Sequence, residues 1–258
     1  MGSTRLPGKH MRPLRGRPMF ARLLERLKRS RAADTICLAT TNKSEDDLLE
    51  AWALESGVMC YRGSVDDVLG RVLGAARHCD ADVIAEITGD CPLADPALID
   101  QAIFRHDLGD ADYVANILDR LTYPTGFDVQ VYRTDLLAEV DGLCLDPDQR
   151  VDVTPYIYGH GDHYRLLNLE APPELNRPEY RLCVDYPEDL AVISEIYDAL
   201  HPTKAEFGAL DIVAMLDARP ELAQRNTLVS DAFACPDSGG AAVHERMPLP
   251  DRALEAAP

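Results

Sequence analysis

From residue 18 onward, short apolar runs alternate with stretches of helical period, and this alternation constrains the fold more than any other feature of the chain. Residues 35–40 (TICLAT), 58–63 (VMCYRG) and 82–88 (DVIAEIT) are each too short for a helix and nearly continuous in apolar character. Between them lie helical patterns: Met19, Phe20, Leu23, Leu24 and Leu27 behind Pro18, a segment near 45–56, and Val68, Leu69, Val72 and Leu73 behind the capping-box-like spacing of Ser64 and Asp67. Arg22, Arg26 and Arg29 fall off the apolar face of the first helix. Asp95 followed by Pro96 starts a further helix as N-cap and first-turn proline. Repeated strand–helix units predict an α/β fold with a mainly parallel sheet covered on both faces.

Between about 112 and 185 the pattern loosens, with strand-like runs at 112–117, 128–133, 165–170 and 181–185 and a turn-rich stretch at 121–126. This region is expected to hold an antiparallel element, the acceptor-binding surface and the dimer contact. Pro187 opens a helix over 188–200, and a last one lies near 206–218. The expectation is one globular domain over 1–228 and a disordered tail over 229–258, where the composition shifts to Ala, Pro, Gly and Ser. A parallel α/β domain begins with a central buried strand, yet nothing apolar precedes Gly2. A buried Ile, Val or Leu contributes roughly 1.5–3 kcal/mol against a total stability of roughly 5–15 kcal/mol. The first strand is therefore expected upstream of Met1.

Charge narrows the function. The 258 residues carry a formal −18, which argues against a nucleic-acid partner. Residues 1–31 run the other way, with ten basic groups against Glu25 alone, and suggest a local anion site. Seven cysteines without a CxxC pair suggest neither a disulfide framework nor a zinc site, and Cys37, Cys60 and Cys183 read as small core residues. No run approaches the ~20 apolar residues of a membrane span, and the start lacks a signal peptide's apolar core. A soluble cytoplasmic protein is expected.

Gly2-Ser3-Thr4-Arg5-Leu6-Pro7-Gly8-Lys9 combines small residues, which let backbone N–H groups face an anion, with mobile positive charge. It is not a P-loop, because its two glycines are six apart and His10 stands where a magnesium-binding hydroxyl belongs. Asp90 follows a predicted strand, at the end where open α/β sheets bind ligands, and Asp95 relieves it of capping the next helix. Asp185 likewise ends a predicted strand, although it could simply cap the helix that Pro187 opens. Two such carboxylates could hold Mg²⁺ and leave positions for phosphate oxygens. Arg71 could pair with Asp67 one helical turn away, and His160 with His163 reads as a solvated loop.

Together, 2–9, Gly63-Ser64-x-Asp66-Asp67-Val68-Leu69-x-Arg71, Thr88-Gly89-Asp90-Cys91-Pro92 and Val184-Asp185-Tyr186-Pro187-Glu188-Asp189-Leu190 resemble the cytidylyltransferase family. The resemblance is to its spore-coat-polysaccharide (SpsF-type) branch, related to CMP-sugar-acid synthetases, and extends to Tyr123-Pro124-x-Gly126-x-Asp128-Val129 and Val153-Thr154-Pro155-Tyr156-Ile157. It implies the Rossmann-like, three-layer nucleotide-diphospho-sugar transferase fold, CTP and Mg²⁺, and release of pyrophosphate. It implies catalytic roles for Arg5 and Lys9 on the triphosphate, nucleotide contacts from Gly2, Ser3, Thr4, Arg5, Lys9, Arg71 and Asp90, and metal ligation by Asp90 and Asp185. A sugar acid of surface-polysaccharide assembly is the implied acceptor. A phosphorylated or phosphonate acceptor, or a non-catalytic nucleotide-binding relative, are the alternatives. Two departures stand out: the apolar–Ala–Arg strand end before the Gly-Ser-Thr loop is lacking, and Arg150-Val151-Asp152 replaces the branch's Arg-Glu-His.

Overall fold

The computed structural model describes residues 2–3 and 5–227. Thr4 and the predicted tail over 229–258 lie outside the described residues. A two-stranded antiparallel ribbon, β1 (Pro13–Leu14) with β2 (Arg17–Pro18), leads into α1 (Met19–Leu27). β3 (Cys37–Thr41), α2 (Asp47–Glu55), β4 (Met59–Gly63), α3 (Val68–His78), β5 (Val83–Glu86) and α4 (Pro96–Asp107) follow as successive strand–helix units. Then come β6 (Tyr113–Ala115), β7 (Gln130–Arg133), α5 (Thr134–Leu143), α6 (Pro155–Gly159) and β8 (Leu166–Asn168). The helices α7 (Pro187–Leu200), α8 (Ala209–Asp217) and α9 (Pro220–Ala223) close the described chain.

Local signals act where the sequence places them, with shifts of a residue or two. Asp95 caps α4, its Oδ1 accepting from the N–H groups of Ala97 and Leu98. The cap of α3 is Asp67 rather than Ser64. Its Oδ1 accepts from Gly70 N–H, while Ser64 Oγ accepts from the Asp66 and Asp67 amides in the turn before it.

The sheet is not mainly parallel. β3 and β4 pair in parallel, but the second sheet, ordered β5-β7-β6-β8, is mixed: β7 runs antiparallel to both β5 and β6, and only β6 with β8 is parallel. The cause is connectivity. The α4 crossover carries the chain from β5 past one open position to β6, and the helix-free link from β6 returns β7 into that position in the opposite sense. Among the described residues no hydrogen-bonded ladder joins β3–β4 to β5. Helices span the two sheets instead. Phe20 and Leu24 of α1 pack with Leu49, Ala53 and Val58, while Met19 and Leu27 join the main core with Val83 and Ala85 of β5.

The layers are read from the strands' alternation. Val114 and Val131 point into the core under α1, α4, α7 and α8. Tyr113, Ala115 and Tyr132 point into a second core under α3, α5 and α6. This is the expected three-layer arrangement. Three sequence expectations fail at the level of single residues. Arg22 and Arg26 are buried rather than solvent-facing: Arg26 donates to the carbonyls of Ala94 and Phe207, and Arg22 to those of Leu14 and Arg15. A long side chain with a hydrogen-bonded head can lie under a helix that apolar periodicity alone orients differently. Cys37 and Cys60 are only half-buried, whereas Cys183 is buried, and the six described cysteines are all free. His160 is buried at the end of α6, its Nδ1 2.7 Å from the Tyr156 carbonyl oxygen, so only His163 fits the predicted solvated loop.

Candidate functional site

The segment 2–9 folds back on itself. Ser3 Oγ accepts from Leu6 N–H at 3.2 Å, and the Leu6 side chain is buried in the main core. Gly8, at φ +68°, turns the chain into a single 3₁₀ turn, Lys9–Met11, a conformation that costs a residue with a Cβ roughly 1–2 kcal/mol. This turn directs Lys9 inward, leaving it 7% exposed. Its Nζ donates to Asp90 Oδ2 at 3.1 Å, to Asp185 Oδ1 at 3.1 Å and to the Val184 carbonyl at 2.8 Å. Arg5 donates to the same Asp185 Oδ1 at 2.8 Å, with its guanidinium 5.2 Å above the centre of the Tyr186 ring. The two carboxylates come from the turn after β5 and from the approach to α7, joined by Val184 N–H donating to Asp90 O at 2.8 Å. The approach to α7 is not the predicted strand. Among the described residues its one bridge is between Thr125 and Arg181, and the chain bends at Asp185 beyond it.

These groups line an open cavity of about 420 Å³, with Gly2, Ser3, His10, Thr88 and Gly89 around Arg5, Lys9, Asp90 and Asp185. Burial pushes the Asp90 carboxyl up, but the Lys9 ammonium and hydrogen bonds from Thr88 and Lys9 outweigh it and hold Asp90 below the usual range. Burial beside the Lys9 charge lowers His10 to about 4, so its imidazole is neutral at pH 7. Nothing larger than glycine fits at residue 89 without moving that ring: a Cβ there would stand 3.1 Å from His10 Nε2.

Asp185 is held from behind by residues that the sequence reading did not single out. Asp189, fully buried, accepts from the backbone N–H groups of Asp185 and Tyr186 at 2.9 Å and from Asn226 Nδ2 at 2.9 Å. Asp189 rather than Asp185 therefore serves the start of α7. Arg181 donates to Asp189 through Nε and Nη2 and to Asp185 Oδ2 through Nη2 at 2.9 Å. Burial opposes the ionised Asp189, but Arg181, the two amides and Asn226 together keep its carboxyl low. Asp128 was visible only as a motif position. Burial and the charge of Asp90 raise it to about 6, against a weak hydrogen bond from Gly126 N–H. Gly126 itself is required: it has φ +102°, and a Cβ there would meet the Leu182 carbonyl carbon at 2.5 Å.

Arg71 is not brought to this cavity. It lines a second one of about 400 Å³ together with Tyr61, Ser64, Asp67, Asp141 and Arg150. The predicted Asp67–Arg71 pair does not form either. Arg71 Nη1 donates to the Ser64 carbonyl at 2.5 Å, while Asp67 takes two hydrogen bonds from Arg150 at 3.0 Å each. Arg150 also donates to Asp141 Oδ1 and to the carbonyls of Asp141 and Cys144, so the one residue of this triplet that keeps the branch's pattern ties three segments together.

Comparison with known proteins gives this geometry a context. The family model described as Cytidylyltransferase matches residues 1–228. The spore coat polysaccharide biosynthesis protein SpsF of Bacillus subtilis is 34% identical over 230 residues, covering 86% of this chain and 93% of that protein. A 3-deoxy-manno-octulosonate cytidylyltransferase from Chloroherpeton thalassium is 36% identical over 101 residues, about two-fifths of each chain. A solved cytidylyltransferase from Leptospira borgpetersenii superposes with a TM-score of 0.80 at 31% identity, covering 87% of this chain and 93% of its own. The fold is also shared with a CMP:2-keto-3-deoxy-manno-octonic acid synthetase complexed with CTP, at a TM-score of 0.58 and 16% identity over 76% of this chain and 94% of that one. The basic loop against two convergent carboxylates thus sits in a chain that belongs to the cytidylyltransferase family, a CTP-dependent nucleotidyltransferase.

Proposed function

We propose that this cytidylyltransferase activates a sugar acid for surface-polysaccharide assembly, converting it with CTP to its CMP conjugate and releasing pyrophosphate. The likeness to SpsF and to the 3-deoxy-manno-octulosonate enzyme supports the acceptor class. The observation that carries the reading is the single ammonium shared by Asp90 and Asp185. Two carboxylate oxygens, each 3.1 Å from Lys9 Nζ, converge on one point that already holds a cation. This donor set fits Mg²⁺, a hard ion that takes one or two carboxylates and completes its shell with water and substrate phosphates.

Asp90 and Asp185 would hold the ion, and when bound it withdraws charge from the α-phosphate and from the attacking oxygen. The rest falls to this chain's own residues. Lys9 exchanges its carboxylate partners for phosphate oxygens, and Arg5, half exposed at the rim, closes on the same group. Both cations offset the negative charge that builds on the leaving pyrophosphate as the acceptor oxygen attacks the α-phosphorus in line. Backbone amides of Gly2 and Ser3 complete the phosphate cradle. The acid-rich remainder of the chain makes these cations necessary, because its field repels both substrates. In this reading the 112–185 region faces the acceptor and a second copy, a role supported by the exposure of Leu121, Leu145 and Val151. The site is read as working in the cytoplasm, and no described helix is long and apolar enough to cross a membrane.

The test is pyrophosphate release with each of the four nucleoside triphosphates against a panel of sugar acids, phosphorylated polyols and phosphonates. Release with CTP and a sugar acid is expected. Release only with a phosphate or phosphonate would reassign the acceptor. Nucleotide binding with no release from any pair would make the chain a binding protein.

A further inference from the structure

The Asp185 carboxylate is used unequally. Its Oδ1 faces the cavity, where it takes Lys9 and Arg5, while its Oδ2 is turned away and held by Arg181 at 2.9 Å. We propose that Arg181 is a positioning residue that confines Asp185 to one-oxygen ligation and thereby makes the site select a small divalent cation over a large one. The inference rests on the reading above that Asp90 and Asp185 hold the metal.

Three observations show that this clamp is built rather than incidental. Arg181 presents two donors to Asp189, at 3.0 and 3.2 Å, and Asp189 is fully buried, so the guanidinium plane is fixed by a charge that cannot turn to solvent. Its backbone is fixed as well, through the bridge to Thr125 and through Asn226 Nδ2, which donates to the Arg181 carbonyl at 2.9 Å. The same Asp189 carboxylate takes the Asp185 amide, so main chain and side chain of Asp185 are set by one pair of residues. With Oδ2 engaged, Asp185 can offer a metal only Oδ1. Mg²⁺ needs near-octahedral, single-oxygen contacts at about 2.0–2.1 Å, whereas Ca²⁺ takes six to eight oxygens and readily uses a carboxylate through both. Blocking the second oxygen therefore penalises the larger ion and leaves the smaller one untouched.

The experiment measures CTP affinity of the full chain by calorimetry without acceptor, in EDTA, in saturating Mg²⁺ and in saturating Ca²⁺, for the unaltered protein, R181K, R181Q and D185N. Lysine keeps a charge against Asp189 but cannot reach both carboxylates, so R181K guards against a loss of folding in R181Q. The unaltered protein is expected to bind CTP about tenfold more tightly with Mg²⁺ than with Ca²⁺. R181K brings that ratio close to one, mainly by strengthening the Ca²⁺ complex. A merely structural role for Arg181 weakens both complexes alike and leaves the ratio unchanged, and that result overturns the proposal. D185N separates the two readings. If it abolishes the metal-dependent gain while R181K keeps the ratio, the metal assignment stands and the clamp fails. If D185N behaves as the unaltered protein does, the assignment of Asp185, and the clamp with it, is overturned.

Discussion

The two cavities are alike in size and in content, since each sets basic side chains against aspartates, yet they differ in what those side chains can release. Around Lys9 one ammonium joins carboxylates drawn from positions 90 and 185, and the third partner is a lone carbonyl. Around Arg150 the guanidinium is saturated by two carboxylates and two carbonyls, one of those carboxylates being the cap of α3. A charge cluster that also closes a helix cap cannot change partners without cost to the fold. One whose shared ammonium closes no helix cap can. The difference separates a site for exchange from a structural tie, although composition alone makes the two look equivalent.

The largest effect that would sharpen this contrast is expected at Asp90. D90N should reduce kcat/KM for CMP transfer by about a hundred- to a thousandfold, with thermal unfolding within a few degrees of the unaltered protein. A fall in stability comparable to the loss of rate would place Asp90 among the structural ties. R150M should do the reverse. It leaves Asp67 and Asp141 without their shared cation, at a cost of about 3 kcal/mol, read as a lower midpoint in urea. The folded fraction should keep its activity, and loss of activity at full stability would break the comparison.

Asp128 adds a pH axis. Its carboxyl titrates near 6 in the folded chain, above the ordinary aspartate value of 3.8. The folded state therefore holds this proton more tightly than the unfolded state, and stability from this group is present below about 4 and is lost as pH rises through 6. D128N removes the charge that burial and Asp90 oppose. It should stabilise the protein by about 3 kcal/mol at pH 7 and by only about 0.5 kcal/mol at pH 4, measured by urea titration at both values. An equal effect at the two pH values would mean that the carboxyl is not strained by its surroundings.

Much of this was legible in the sequence because the signals are local. Strand and helix positions follow from periodicity, the α4 cap follows from Asp95 before Pro96, and Arg5, Lys9, Asp90 and Asp185 each stand in a short motif next to an element's end. What was not legible depends on contacts between distant segments. The sense of β7 is set by an open position between β5 and β6, which no single window contains. Arg22 and Arg26 are buried by carbonyls that lie up to 181 positions away, so their spacing on α1 misplaces them. Arg181 and Asp189 lie inside or beside a recognised motif, but their grip on Asp185 exists only once Asn226 and the Thr125 bridge have fixed the backbone. Motif spacing reveals which groups are available, and tertiary packing decides which of them are free to react.

Arg71 tests where the boundary between the two cavities runs, and its effect should be the smallest. Its side chain is half-buried, and burial lowers its pKa despite the nearby charges of Asp46 and Asp67. Among the described residues its Nε is buried without a hydrogen-bond partner, while Nη1 donates to the carbonyls of Ser64 and Val65. Gly63 makes room for the stem, since a Cβ there would stand 2.8 Å from Arg71 Cγ. An arginine with a donor to spare, next to a loop that shares its motif, suits a contact with the nucleotide rather than with the reacting phosphates. R71M should then raise KM for CTP about three- to tenfold with kcat unchanged, which is the signature of binding lost equally from ground and transition states. An unchanged KM with a lower unfolding midpoint would instead assign Arg71 to closing the loop over Ser64, and the second cavity would be structural throughout.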